Sequence, residues 1–103
     1  MFFGKRKKKI LVADGDGDFL RVMTAILEHA GYATDTAENG EDAFKAIRKG
    51  KYDLLVLETE MPKIDGIRLL EMARKSSRYS NVPILMVGNH GNGEDSGARP
   101  GED

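Results

Sequence analysis

The acidic residues that could do chemistry fall into two runs. Asp14, Asp16 and Asp18 alternate with glycine in Asp14-Gly15-Asp16-Gly17-Asp18. Glu58 and Glu60 stand just ahead of Met61-Pro62 and Asp65-Gly66. Each run follows a solidly apolar stretch, Ile10-Leu11-Val12-Ala13 in the first case and Leu54-Leu55-Val56-Leu57 in the second. Carboxylate oxygens suit a hard cation such as Mg²⁺. The alternating run is not a calcium loop of the EF-hand kind, because the spacing and closing glutamate of that loop are missing. Asp16 and Asp18 also have a plainer role available, since either can cap a following helix. Other chemistries are poorly supplied. The chain has no cysteine, which removes disulfides, thiolate nucleophiles and cysteine zinc sites. His29 and His90 have no partner set for metal or triad chemistry, and no glycine-rich phosphate loop is present.

The elements that must position these acids follow from periodicity. Residues 10–13 read as a buried strand. Phe19, Val22, Met23, Ile26, Leu27 and Ala30 then recur at helical spacing up to Gly31. Residues 32–37 make a weaker strand, and Asn39-Gly40 marks a turn. Ala43, Phe44, Ala46 and Ile47 give a second amphipathic helix closed by Gly50. Leu54 to Leu57 is apolar without alternation, as a central parallel strand would be. Ile67, Leu69, Leu70, Met72 and Ala73 make a third helix, and Pro83 to Val87 a fourth strand. Strands alternating with helices imply parallel pairing through right-handed crossovers, with functional groups at the carboxyl ends of the strands. Those ends are Asp14, Glu58 and Gly88.

Length and charge bound the rest. A chain of 103 residues makes one domain, and a composition 40% hydrophobic and 32% charged is that of a globular protein. The net charge of −1 gives no general attraction for nucleic acid, so nucleic acid is not an expected partner. The charge is uneven, however: Lys5, Arg6, Lys7, Lys8 and Lys9 are consecutive, next to Phe2 and Phe3. Such a run can hold phosphate backbones or an anionic membrane surface, but the simpler expectation is a solvated arm. No apolar run is long enough for a transmembrane segment, and no secretory signal is visible, so the expected location is cytoplasmic. After Val87 the chain carries five glycines and almost no apolar side chain, which predicts a disordered acidic tail.

Glu58-Thr59-Glu60-Met61-Pro62-Lys63-Ile64-Asp65-Gly66 resembles the loop D-x-x-M-P-x-x-D-G of response-regulator receiver domains in two-component signalling, with glutamate for the first aspartate. Ile10 to Asp14 looks like the first receiver strand with its terminal acid. Ala37-Glu38-Asn39-Gly40-Glu41-Asp42-Ala43 looks like the opening of the second helix, and Pro83 to Val87 like the fourth strand. The resemblance covers residues 8 to about 90. It implies a flavodoxin-like fold, a doubly wound parallel sheet in the order βαβαβαβ, without counterparts for the family's fourth helix, fifth strand and fifth helix. The expected organisation is a basic arm over 1–9, a truncated receiver over 10–87 and a tail over 88–103.

The resemblance also assigns roles. In the family an acid pair closes the first strand, and an aspartate closing the third strand accepts phosphate. These acids hold Mg²⁺. A threonine or serine after the fourth strand and a lysine after the fifth read the phosphate. Asp14 matches the first acid, and Gly15 stands where the second belongs. Glu58 stands at the acceptor position, Gly88 at the threonine position, and the lysine has no counterpart. Asp16 and Glu60 share the acidic corner, while Met61, Pro62, Asp65 and Gly66 are structural. Asp14, Asp16 and Glu58 could hold Mg²⁺ weakly; no other cofactor is implied. Glu58 could mimic phosphoaspartate only if the reading hydroxyl and ammonium were there.

The expectation is therefore an atypical receiver, not an enzyme, which works by binding protein partners without aspartyl phosphorylation. The alternatives are a phosphoacceptor using Glu58 or a nearby acid, and a truncated receiver fragment without function. The expected contact region is the edge of the fourth strand and the sheet face beside the first helix, open to a signalling protein or a second copy.

Overall fold

The computed structural model describes residues 6–88. Within them run β1 (Lys9–Ala13), α1 (Gly17–His29), β2 (Ala33–Ala37), α2 (Gly40–Lys49), β3 (Leu54–Glu58), α3 (Gly66–Arg74) and β4 (Ile84–Val87). Most of the tail and the first half of the arm lie outside the described residues. All strand pairings are parallel, in the order β2-β1-β3-β4. This is the doubly wound α/β sheet of the flavodoxin-like receiver fold.

Side-chain alternation on the strands divides the core in two. Leu11, Ala13, Leu55 and Leu57 face α2 and α3, where they pack with Ala43, Ile47 and Leu69. Ile10, Val12 and Val56 face α1, where they meet Leu20. The two central strands are therefore apolar on both sides, which is why β1 and β3 lack polar alternation.

Each helix begins on a side-chain cap. Asp16 accepts from the backbone N–H groups of Asp18 and Phe19, Asn39 from that of Asp42, and Asp65 from that of Arg68. Asn39-Gly40 thus starts the second helix, as the resemblance over Ala37 to Ala43 implied. Gly31 ends the first helix with φ 104°, a conformation that a side chain opposes.

The apolar stripe expected on α1 is corrected in one respect: half of it faces out. Leu20 is buried, whereas Val22 is 57% and Ile26 55% exposed. The helix packs on β1 and β2. One flank, with Thr24 and Glu28, borders Thr36 and Glu38 beside β2. By helical geometry Val22 and Ile26 lie on the opposite flank and look out over β3 and β4. There Leu85 is 56% exposed, and β4 is an edge strand among the described residues. Lower on that side, Leu27, Tyr32, Leu54 and Pro83 line an open depression of about 550 Å³. His29, in the last turn of α1, is exposed.

Candidate functional site

Parallel strands bring the ends of β1, β3 and β4 to one corner. Ala13 pairs with Leu57, and Glu58 pairs with Val87, so Asp14, Glu58 and Gly88 meet there as expected. Asp14 is only 1% exposed. Its backbone N–H donates to the carbonyl of Ala37 at 3.0 Å, and its Oδ1 accepts from the Asp16 N–H at 2.8 Å. This carboxylate thereby sets the turn that delivers Asp16 to the cap of α1.

Glu58 is half-buried, and its Oε1 accepts from the Gly15 N–H at 2.9 Å. The extra methylene lets it reach across the corner to the loop where the family's second acid stands. Space is not the constraint at that position. A Cβ on Gly15 would meet Glu58 Oε1 and Pro62 Cδ at 3.7 Å, ordinary contact, and a Cβ on Gly88 would have nothing within 4 Å. The second acid and the hydroxyl could be accommodated but are not there.

The loop from Thr59 to Gly66 is braced at both ends. Thr59 donates to Val87 at 2.9 Å, and Gly66 donates to Thr59 at 3.0 Å. A Cβ on Gly66 would lie 2.0 Å from the Glu58 carbonyl oxygen. Met61 is buried in the core. The carbonyl of Pro62 accepts from Gly40 and Ile64, Lys63 takes φ 76° between them, and its ammonium pairs with Glu41 at 3.2 Å. A Cβ on Gly40 would strike the Ile64 carbonyl oxygen at 1.7 Å. Gly40 is therefore a second position of close backbone approach, a role that the sequence reading did not see. Glu60 is exposed at the rim. Glu38, whose carbonyl lies 3.9 Å from a Cβ placed on Gly15, also borders the corner and went unnoticed in the sequence.

The carboxylates of the corner are engaged by backbone groups. The Asp16 carboxylate caps α1, and Asp14 and Glu58 each give an oxygen to a backbone N–H. Among the described residues, no group of three or more His, Asp or Glu side chains is placed to hold a metal ion.

A second polar cluster lies away from this corner. The Tyr52 hydroxyl donates to Asp35 Oδ2 at 2.6 Å, and Lys9 Nζ sits 3.3 Å from the same oxygen. Burial, reinforced by that hydrogen bond and the Asp35 charge, pushes the Tyr52 phenol well above its usual pKa.

A doubly wound parallel sheet with an acid at the end of its first and third strands, closed by an M-P-x-x-D-G loop, defines a signalling domain of the receiver class. The family model for the response regulator receiver domain matches residues 10–98, and the chain belongs to that family. A probable transcriptional regulator, ycf27 of Pyropia yezoensis, is 40% identical over 82 residues, covering 80% of this chain and 32% of that protein. The alkaline phosphatase synthesis transcriptional regulatory protein PhoP of Bacillus subtilis is 39% identical over 80 residues, covering 78% and 32%. The chain thus spans about a third of the length of these relatives. Among solved structures, chemotaxis response regulator CheY4 of Vibrio cholerae superposes with a TM-score of 0.76 at 28% identity, covering 79% of this chain and 68% of that one. The receiver domain of Francisella response regulator 1452 gives 0.75 at 31%, covering 86% and 72%.

Proposed function

We propose that this receiver domain no longer takes phosphate on an acid and acts in two-component or phosphorelay signalling as a protein-interaction module, in the cytoplasm. The observation that carries this reading is the contact of Glu58 with the Gly15 N–H. The acceptor-position carboxylate is turned onto the backbone of the residue whose acid should help hold the metal. A displacement of ~1 Å at a reacting atom can cost ~10²-fold in rate, and the longer glutamate imposes a shift of that order. Gly88 has no hydroxyl with which to read a phosphate. The surface open to a signalling partner, or to a second copy of the chain, is the flank of α1 with Val22 and Ile26 together with Leu85 on β4.

The test is incubation with acetyl phosphate and Mg²⁺, followed by intact-mass measurement. The expected result is an unchanged mass. A stable gain of one phosphate defeats the proposal and favours a phosphoacceptor at Glu58 or a neighbouring acid.

A further inference from the structure

The seam between α2 and α3 forms a surface on the opposite side of the sheet from α1. Phe44, Ile47 and Arg48 of α2 and Leu69, Met72 and Ala73 of α3 line a groove there, with a volume of about 320 Å³. Its floor is apolar: Ile47, Leu69 and Ala73 are buried, while Phe44 and Met72 are half-buried at its sides. The turn after α3 closes one end. There the Tyr79 hydroxyl donates to the carbonyls of Ile47 and Gly50, and Arg78 Nη1 donates to those of Arg48 and Gly50. Bonds between the two walls thus hold the groove in shape before anything enters it.

The rim is basic. Arg48 and Arg78 are exposed, and among the described residues neither guanidinium is paired with a carboxylate. Arg48 lies over the Phe44 ring, 5.6 Å from its centre. Lys45 and Lys49 border Phe44 and Arg48 on the α2 side, and Arg68 borders Met72 on the α3 side, all of them exposed. The acids of these helices are placed otherwise, and none lines the groove. Glu41 pairs with Lys63, Asp42 is bonded to Asn39, and Asp65 caps α3. Glu71 is exposed, but helical geometry turns it outward, away from the face that carries Leu69 and Ala73.

We infer that this groove docks an amphipathic helix of a protein partner whose apolar face is flanked by acidic side chains. A helix laid into the seam between two others buries anchors spaced by whole turns. The 10 residues of α2 give the groove a length of about 15 Å, room for anchors at i, i+4 and i+7. Carboxylates on the flanks of that helix meet Lys45 and Arg48 on one wall and Arg68 on the other, with Arg78 at the closed end. Guanidinium groups suit carboxylates through their planar fork of donors. The apolar floor favours such a helix over nucleic acid, whose phosphates would engage the rim alone.

This groove rests on the reading of the domain as a protein-binding module and not on the loss of phosphate uptake. A chain that gains phosphate can still bind acidic helices, and one that binds none still keeps its mass. The experiment is selection on the full chain from a phage-displayed library of helical peptides, with leucine fixed at the anchor positions and the positions between them randomised. Enriched peptides should carry Glu or Asp beside the anchors. One of them, labelled with fluorescein, should bind more weakly as salt rises. Arg48→Glu alters an exposed side chain and should weaken that peptide by about tenfold or more, and Met72→Lys by a similar factor. Val22→Lys with Ile26→Lys, across the sheet, should bind it as the wild type does. Circular dichroism checks the fold of each variant. The docking site is refuted if no peptide is enriched, if enriched peptides show no acidic bias, if the folded Arg48→Glu variant binds them like the wild type, if the α1 variant loses them, or if a fluorescent DNA duplex binds more tightly than the peptide.

Discussion

At the residue scale, the corner has room for a side chain at both Gly15 and Gly88. Restoring the acids with Gly15→Asp and Glu58→Asp places a carboxylate where ordinary contacts already allow one. Wild-type affinity for Mg²⁺ is expected on the order of millimolar at best, because Mg²⁺ dehydrates reluctantly and a hard ligand is missing. The double variant should bind more tightly by calorimetry. It should still fail to signal, as Gly88 offers no hydroxyl. Micromolar binding by the wild type would instead mean that Asp16 or Glu60 completes a site. Tyr52 gives a second residue-level expectation. Its folded pKa is raised, so the neutral phenol's stabilising effect is complete at neutral pH and declines once pH passes about 10, where the unfolded chain begins to lose that proton. Tyr52→Phe should cost about 1 kcal/mol near pH 7 through the lost bond to Asp35. The gap between the two urea midpoints should close as pH rises above about 10. A gap that stays constant through that range shows that the phenol titrates alike in both states.

At the element scale, glycine positions separate two kinds of constraint. Gly31 needs only its positive φ, with nothing within 4 Å of an added Cβ, so Gly31→Ala should cost about 1 kcal/mol. At Gly66 the same methyl would lie 2.0 Å from the Glu58 carbonyl, backbone that cannot yield without moving β3. Gly66→Ala should cost about 3 kcal/mol or more. Urea melts of both variants check the order, and equal losses would mean that the loop after β3 relaxes freely. Gly66 was legible in the sequence through its motif, whereas Gly40, equally tight, was read as a turn opening the second helix, and its close approach went unseen because the conflict is with Ile64 across space. The strands and helices were legible for a similar reason: apolar periodicity is local, and caps such as Asp16 act within a few residues. What periodicity could not supply was long-range. Tyr79 is buried under carbonyls from the end of α2, and Arg74 binds the carbonyls of Tyr79 and Val82, so the stretch between α3 and β4 is held by contacts of no repeating pattern. The stripe on α1 was readable as apolar, but the direction of Val22 and Ile26 depends on which strands the helix covers.

At the scale of the molecule, the α1 side of the sheet is unevenly clothed. Leu85 is more than half exposed on a strand whose neighbour is apolar up to Glu58, and Val22 and Ile26 overlook it. Two modes of association are open to such a surface. One is edge pairing through the backbone of β4, and the other is burial of the apolar face. Substitutions distinguish them because Val22 and Ile26 belong to α1 and take no part in the strand edge. Val22→Lys with Ile26→Lys removes apolar surface from the face and leaves the backbone of β4 untouched. Leu85→Lys charges both the face and the edge. If the face drives association, both variants should sediment as monomers where the wild type does not. Their stability should stay within about 0.5 kcal/mol of the wild type, since these side chains are already exposed. If the edge drives it, the α1 variant should associate as the wild type does and only Leu85→Lys should dissociate. A wild type that stays monomeric and stable at high concentration refutes both modes, and the uncovered side must then await a different partner.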